Sequence, residues 1–310
     1  MKQTLLLILL LPFIYSCNQK PKTVAEIGGT IIDCKFSDMA LNNETPQQIT
    51  SILQERLRHL DGATTPTVSY NESDSLFHIE IPGLPYLSAE MLLAHGRMNI
   101  SEICLLEDLT KLQNAANSKC IDSLLSYYNY TRDDFRLGYM HTAILTDVSV
   151  FNIHHVDSII EVLNIKSILP DNIVFKWGMA YEKRANLYIV KSSSGSIDLN
   201  RTHKSSKIEN SDSGYPGAAL SISLNEAGAR KFETLTELNI GQPLAITVDD
   251  FVLSAPTVSS KIEGGSLSIS GAFDHNQIAV FHALLNGGVI ASQAKIASVD
   301  YVERKKEKWF

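Results

Sequence analysis

Residues 218–290 read AALSISLNEAGARKFETLTELNIGQPLAITVDDFVLSAPTVSSKIEGGSLSISGAFDHNQIAVFHALLNGGVI, and this stretch decides the fold. Ile222 and Leu224 alternate with Ser221 and Ser223, the period of a half-buried strand. Asn225 then sits where a helix begins, and its side chain can accept from the free amides of a first turn. Ala229, Phe232 and Leu235 recur at helical spacing until Gly241 stops the helix. Leu244–Val248 and Phe251–Ser254 read as a hairpin around Asp249-Asp250. An Asp-Gly pair is the commoner turn, because glycine tolerates positive φ. Leu267 and Ile269 alternate with serines in a further strand. Asp274 caps a last helix that buries Ile278, Phe281 and Leu285, with Gly287-Gly288 at its end. Each punctuating glycine thus has a folding explanation.

The same pattern continues toward the N-terminus. Gly29–Phe36 predicts a strand with Ile32, Cys34 and Phe36 on one face. Thr45-Pro46 is a cap followed by a proline in the first turn. Ile49, Ile52, Leu53, Leu57 and Leu60 give the helix after it an apolar face. Leu76–Ile81 is a strand ending in Pro82-Gly83, Ser88–His95 a short helix and Arg97–Ile103 another strand. The middle is less regular. Leu109–Leu125 and Val156–Leu163 have helical spacing, and Tyr127, Tyr128 and Tyr130 cluster between them. Ile173–Trp177 and Leu187–Lys191 read as strands, and the polar, serine-rich 192–212 as an exposed loop or irregular hairpin.

Four features in the last third, in this order, carry a resemblance. They are the strand leading into Asn225-x-x-Gly228 before a helix, Asn239-Ile240-Gly241, Leu253-Ser254-Ala255-Pro256, and Gly264-Gly265 followed by Ile269-Ser270-Gly271. Together they resemble the first periplasmic domain of SecD, a membrane subunit that assists bacterial protein export. Ile49, Ile52, Leu53, Arg56, Leu57 and Ile81-Pro82-Gly83 are similar to the base subdomain of that domain, and Leu169-Pro170 before Phe175 and Trp177 to its head. The resemblance implies an α+β fold: a ferredoxin-like base at 24–106 plus 291–304, and an inserted α+β head at 107–290. The terminal Trp309-Phe310 departs from the family.

The first residues set an address. Lys2 precedes an apolar run from Leu5 to Leu11, extended by Pro12, Phe13 and Ile14. That run is shorter than the roughly 20 residues of a membrane-spanning helix. Ile14-Tyr15-Ser16-Cys17 resembles a lipobox, which makes 1–16 a signal peptide, Cys17 the lipidated residue (palmitate or a similar acyl chain) and 17–23 a tether. The alternative is a plain secretory signal with a coincidental cysteine. The lipoprotein reading places the chain in the cell envelope, held at a membrane and facing the periplasm of a two-membrane bacterium.

The chain of 310 residues carries a formal charge of −7, and losing 1–16 makes it one unit more negative. That balance argues against a nucleic-acid partner, which basic surface would recruit. A hydrophobic content of 44% is that of an ordinary globular protein, with length for two modest domains. Cys34, Cys104 and Cys120 remain after Cys17; Cys104 and Cys120 either pair or stay buried thiols. No Cys/His spacing suggests zinc, and no glycine loop suggests a phosphate.

Catalytic constellations are not apparent. Gly264-Gly265-Ser266 lacks the pattern of a nucleophile elbow. Asp249-Asp250 and His154-His155 are adjacent residues whose side chains diverge, and His78 alternates out of a strand. The expectation is therefore a non-enzymatic protein without a cofactor. The resemblance implies partners among unfolded exported polypeptides or export-machinery subunits. The alternative is a structural or regulatory partner of another envelope protein, repurposed from the same domain. A client binder is expected to show an apolar groove lined by groups such as Phe251 or the tyrosine cluster.

Overall fold

The computed structural model describes residues 22–105, 108, 144–162, 169–192, 195–210, 218–271 and 273–304. Cys17, the signal segment, the Leu109–Leu125 helix, Cys120, the tyrosine cluster and Trp309-Phe310 lie outside the described residues. The first elements are α1 (Val24–Ile27), β1 (Gly29–Ser37), α2 (Pro46–Arg58), β2 (Thr67–Asn71), β3 (Leu76–Pro82), α3 (Ala89–Leu92) and β4 (Met98–Ile103). Then come β5 (Ile144–Ser149), α4 (Ile153–Val162), β6 (Ile173–Gly178), β7 (Arg184–Lys191), β8 (Ile197–Asp198), α5 (Leu199–Thr202) and β9 (His203–Asn210). The last are β10 (Ala218–Leu224), α6 (Glu226–Leu238), β11 (Leu244–Val248), β12 (Phe251–Ser254), β13 (Ser266–Ile269), α7 (His275–Gly287) and β14 (Gln293–Val302).

The fold is α+β, a ferredoxin-like base carrying an inserted α+β head. In the base sheet the order is β14-β1-β3-β2, all antiparallel. Taking α2 and α7 as its two helices, this is the β-α-β-β-α-β succession of the ferredoxin-like motif. Ile32, Cys34 and Phe36 of β1 and Phe77, Ile79 and Ile81 of β3 turn inward and are buried. Thr45 and Gln48 form a reciprocal capping box at the start of α2, which satisfies two otherwise orphan amides. Everything between β3 and α7 is inserted into this frame.

Among the described residues the head has two sheets. One runs β5-β7-β6-β12-β11-β4-β8, with a further pairing between β7 and β4. That pairing closes a ring of five strands, β7-β6-β12-β11-β4. Ile103, Tyr188, Val190, Ala245 and Val252 form one buried cluster on these strands, with Val174 and Ala255 packed against it. The other sheet is β13-β10-β9.

Sheet pairing cuts across the boundaries expected at 106 and 290. β4, expected in the base, hydrogen-bonds to β11 from Leu244↔Glu102 to Val248↔Met98. Met98, Ile100, Ser101 and Ile103 are all buried, so the strand needs cover on both faces. α7, expected in the head, packs against α2 on one side and against β9 and β10 on the other. Its buried residues, Ile278, Ala279, Val280, Phe281, Ala283, Leu284 and Leu285, surround the helix, the signature of a helix enclosed by core. One hydrophobic cluster accordingly runs from Ile32 through α7 to Leu220.

The polar stretch 192–212 also differs from expectation. Its residues 197–210 form β8, α5 and β9, and β9 pairs with β10 from Ser223↔Ser205 to Ala218↔Asn210. Ile197 and Leu199 are fully buried anchors. The rest is an edge strand whose solvent face is Ser205, Lys207 and Glu209, which hides the strand in composition.

Candidate functional site

Most of the motif residues hold the head together. The side-chain oxygen of Asn225 accepts from the Gly228 amide at 2.9 Å, the N-cap bond expected for α6. Its amide donates to the Arg201 carbonyl at 3.2 Å, tying α6 to α5. A Cβ at Gly228 would lie 2.6 Å from the Cβ of Thr202, so only glycine lets these elements approach. Asn239 is buried at the end of α6 and donates to the Leu235 carbonyl at 2.8 Å. Gly241 donates its N–H to Val258, and Leu244 donates to the Pro256 carbonyl. Ser254 ends β12 opposite Ile246, and Gly271 packs on the Phe273 ring. Gly264 and Gly265 both have positive φ, +78° and +67°, and the Gly265 carbonyl accepts from the Leu224 amide.

These motifs border a groove of about 350 Å³. Phe232 and Thr236 of α6, Leu244 and Ile246 of β11, Ile262 of the following loop and Leu267 of β13 are among its walls. Pro256, directly after Ser254-Ala255, and Val258 line it too. The lining is mostly apolar, and the hydroxyl of Thr236 is turned to internal bonds with Phe232 and the Ile262 amide. At the rim Lys261 pairs with Glu233 at 2.7 Å and Glu237 at 3.6 Å.

Phe251, expected in such a groove, lines a second one of about 280 Å³ with Met91, Met179, Phe281 and Leu284. It lies where base meets head, and a set of polar side chains fixes that joint. Arg56, fully buried, donates to the carbonyls of Leu92, Ala94, His95 and Gly288 at 2.7–3.2 Å. Burial pushes its guanidinium down to about 10, opposed by Asp249 and Glu44, so it stays charged at neutral pH. Asp249 turns its carboxylate onto the amides of Gly96 and Arg97, at 3.0 and 2.8 Å. Asn200 accepts from Met98 and donates to Gly96. Glu44 receives the amides of Ala291 and Ser292, both at 2.8 Å. Burial raises the Glu44 carboxyl, but these bonds outweigh it and leave it below the usual range. Sequence reasoning placed Arg56 in a motif and missed this role. The legible signal was a guanidinium on the same helix face as Ile49, Leu53 and Leu57.

Residues weighed for catalysis lie on separate elements. His78 lies on the outer face of the base sheet, 2.7 Å from Asp33 and 3.3 Å from Glu80. The hydrogen bond that His78 donates to Asp33 lifts its pKa above the ordinary value, against burial and with help from Glu80. His154 and His155 are neighbours on α4, and Asp249-Asp250 form the β11–β12 turn. Cys34 and Cys104 are free and buried. Burial, with Asp33 adding to it, pushes the Cys34 thiol up to about 12; burial and Asp108 push Cys104 up to about 11, so neither is a nucleophile. Among the described residues no group of three or more potential ligands could hold a metal. No described helix is long and apolar enough to cross a membrane.

Comparison with known proteins matches part of the chain. Residues 195–292 match the SecDF P1 head subdomain. The protein translocase subunit SecD of Acidaminococcus fermentans is 37% identical over 93 residues, 30% of this chain. The alignment spans 22% of that relative's length. A crystal structure of SecDF in the super-membrane-facing form overlays with a TM-score of 0.46 at 16% identity, covering 91% of this chain and 32% of its own. A second structure, of a membrane component SecDF that enhances protein export, gives 0.41 at 15% identity, covering 86% and 98%. Neither score supports a residue-level correspondence. The chain resembles the SecD periplasmic domain, most specifically in its SecD-like head, where Asn225, Gly228, Asn239, Gly241, Ser254, Ala255, Pro256, Gly264, Gly265 and Gly271 all lie.

Proposed function

We propose that this protein is a lipid-anchored envelope protein that binds exported polypeptide segments in the groove of its SecD-like head. The observation that carries the reading is where the groove lies. Every residue lining it except Ile100 falls within the segment that matches the SecDF head, and the relative sharing that segment is a protein translocase subunit. Cys17 supplies the anchor in this reading, and export-machinery subunits are the neighbours it would work beside. Division of the chain into signal, tether, base and head belongs to the same proposal.

The chemistry suits reversible capture. Burying a Leu-sized side chain contributes about 1.5–3 kcal/mol. Ordering a flexible chain offsets much of that gain. An open groove that takes a few such side chains therefore binds at micromolar strength or weaker, and lets its client go. The joint of Arg56, Asp249 and Asn200 keeps the head attached to its base while it does so.

The test is fluorescence-anisotropy titration of residues 18–310 with unfolded segments of exported proteins. Segments are expected to saturate, and Leu267→Asp, which sets a carboxylate in the groove wall, is expected to weaken them at least about tenfold with an unchanged circular dichroism spectrum. If no segment binds at high micromolar concentration while one folded envelope protein co-purifies stoichiometrically, the reading fails. A fixed structural or regulatory partnership then replaces it.

A further inference from the structure

The geometry points to strand addition as the way the groove takes its client: an extended segment with apolar residues at alternate positions and Lys or Arg at its flanks pairs along the outer edge of β13. This rests on the polypeptide-binding reading above and specifies the chemistry of the ligand.

Three observations converge. First, β13 is the terminal strand of the β13-β10-β9 sheet. It pairs inward with β10, from Leu220↔Ile269 to Ser223↔Ser266, and among the described residues nothing pairs with its outer edge. Unpaired N–H and C=O groups along a strand edge are satisfied best by another extended backbone. Second, that edge borders the groove. Leu267 stands opposite Ile222 and Ile269 opposite Leu220, so both share the core side of the sheet with fully buried residues. A strand laid beside β13, about 4.8 Å away, places every second side chain on that same side. There they meet the groove formed by Phe232, Val258, Ile262 and Leu267. The intervening side chains fall on the exposed face of Ser266 and Ser268, which also line the groove.

Third, the rim is acidic. Lys261 lies between the lining residues Ser260 and Ile262 and is held by Glu233 and Glu237. Glu263 follows and adds its field to the same ammonium. Three carboxylates thus surround one cation, which favours Lys or Arg at the ends of the bound segment and repels acidic ones. Main-chain pairing tolerates many sequences, as a binder of varied clients requires.

The test uses residues 18–310 and a peptide that alternates leucine with serine between lysine flanks, with three analogues. One is N-methylated on the amides of one strand edge, one on those of the other edge, and one carries glutamate flanks. The parent is expected to saturate. Methylation of one edge is expected to weaken it at least about tenfold, the effect of about 1.4 kcal/mol of lost pairing. Methylation of the other edge is expected to leave it nearly unchanged. Glutamate flanks are expected to weaken it several-fold, a difference that shrinks in high salt. If both methylated peptides bind like the parent, strand addition is overturned and polypeptide binding stands. Equal binding of both charge forms overturns the acidic-rim selection. If the parent fails while unfolded segments bind, strand addition is again overturned; if neither binds, the functional reading falls with it.

Discussion

Gly264 and Gly265 are adjacent, both sit in the left-handed region, and alanine at each is expected to have different consequences. At Gly264 φ is +78° and a Cβ would meet nothing within 4 Å. Alanine there bears only the left-handed penalty, about 1–2 kcal/mol, reduced by about 0.4–1 kcal/mol because the unfolded chain also loses freedom. At Gly265 φ is +67°, and a Cβ would lie 2.6 Å from the Cβ and 2.9 Å from the Cα of Ala229, with Leu224 at 3.2 Å. Optimal carbon contacts are about 3.5–4.0 Å, and Ala229 belongs to α6, whose start is pinned by Asn225. Overpacking of that kind adds about 1–3 kcal/mol. Gly265→Ala is therefore expected to cost about 3 kcal/mol and Gly264→Ala about 1 kcal/mol. Urea unfolding of residues 18–310 measures both, with the slope m unchanged. A double-mutant cycle with Ala229→Gly isolates the contact, and a coupling of at least about 0.5 kcal/mol is expected. Equal losses at the two glycines, or no coupling to Ala229, would refute the close-approach argument.

Further outcomes follow from the same contacts. Arg56→Met strips four carbonyls, one fully and three partly buried, of their donor and is expected to cost about 3–5 kcal/mol; a loss under 1 kcal/mol by urea unfolding contradicts the role of Arg56 at the joint. For His203, burial lowers the pKa below its ordinary 6.5, with His282 and His59 adding to it. The unfolded chain then takes a proton that the folded chain resists, so this part of the stability is lost as pH falls through 6.5. His203→Gln should flatten the decline in melting temperature from neutral to mildly acidic pH, and an unaltered profile counts against the sign. His78 runs oppositely: its raised pKa gives a contribution fully present below 6.5 and lost as pH rises through the folded value. His78→Asn should accordingly lower stability in acid and leave it alone in alkali. Cys17→Ala is expected to move the full-length protein from the membrane to the soluble periplasmic fraction; stable anchoring takes more than one acyl chain, and unchanged fractionation with no acyl label on the wild type defeats the claim.

The features legible in the chain alone are local. The Asn225 cap, the Thr45 cap with Pro46 behind it, the alternation of β10 and the hairpin at Asp249-Asp250 are all present in the structure. Each depends on residues only a few positions apart, whose hydrogen bonds and periodicity are written in neighbouring letters. The Asn225-to-Gly271 motifs were legible for the same reason, because they punctuate those elements. Tertiary structure decided the rest. β4 reads as a strand in either sheet, and only burial on both of its faces assigns it to the five-stranded ring. β9 looks like loop because its outer face is solvated and its inner face needs few apolar residues. α7 is apolar nearly all round, but whether that means one neighbour or two depends on contacts with α2 and β10 from opposite ends of the chain. Arg56 finds its carbonyl partners 36 to 232 residues away. No local period encodes such distances, and the groove beside β13 exists only because these long-range pairings leave that edge open.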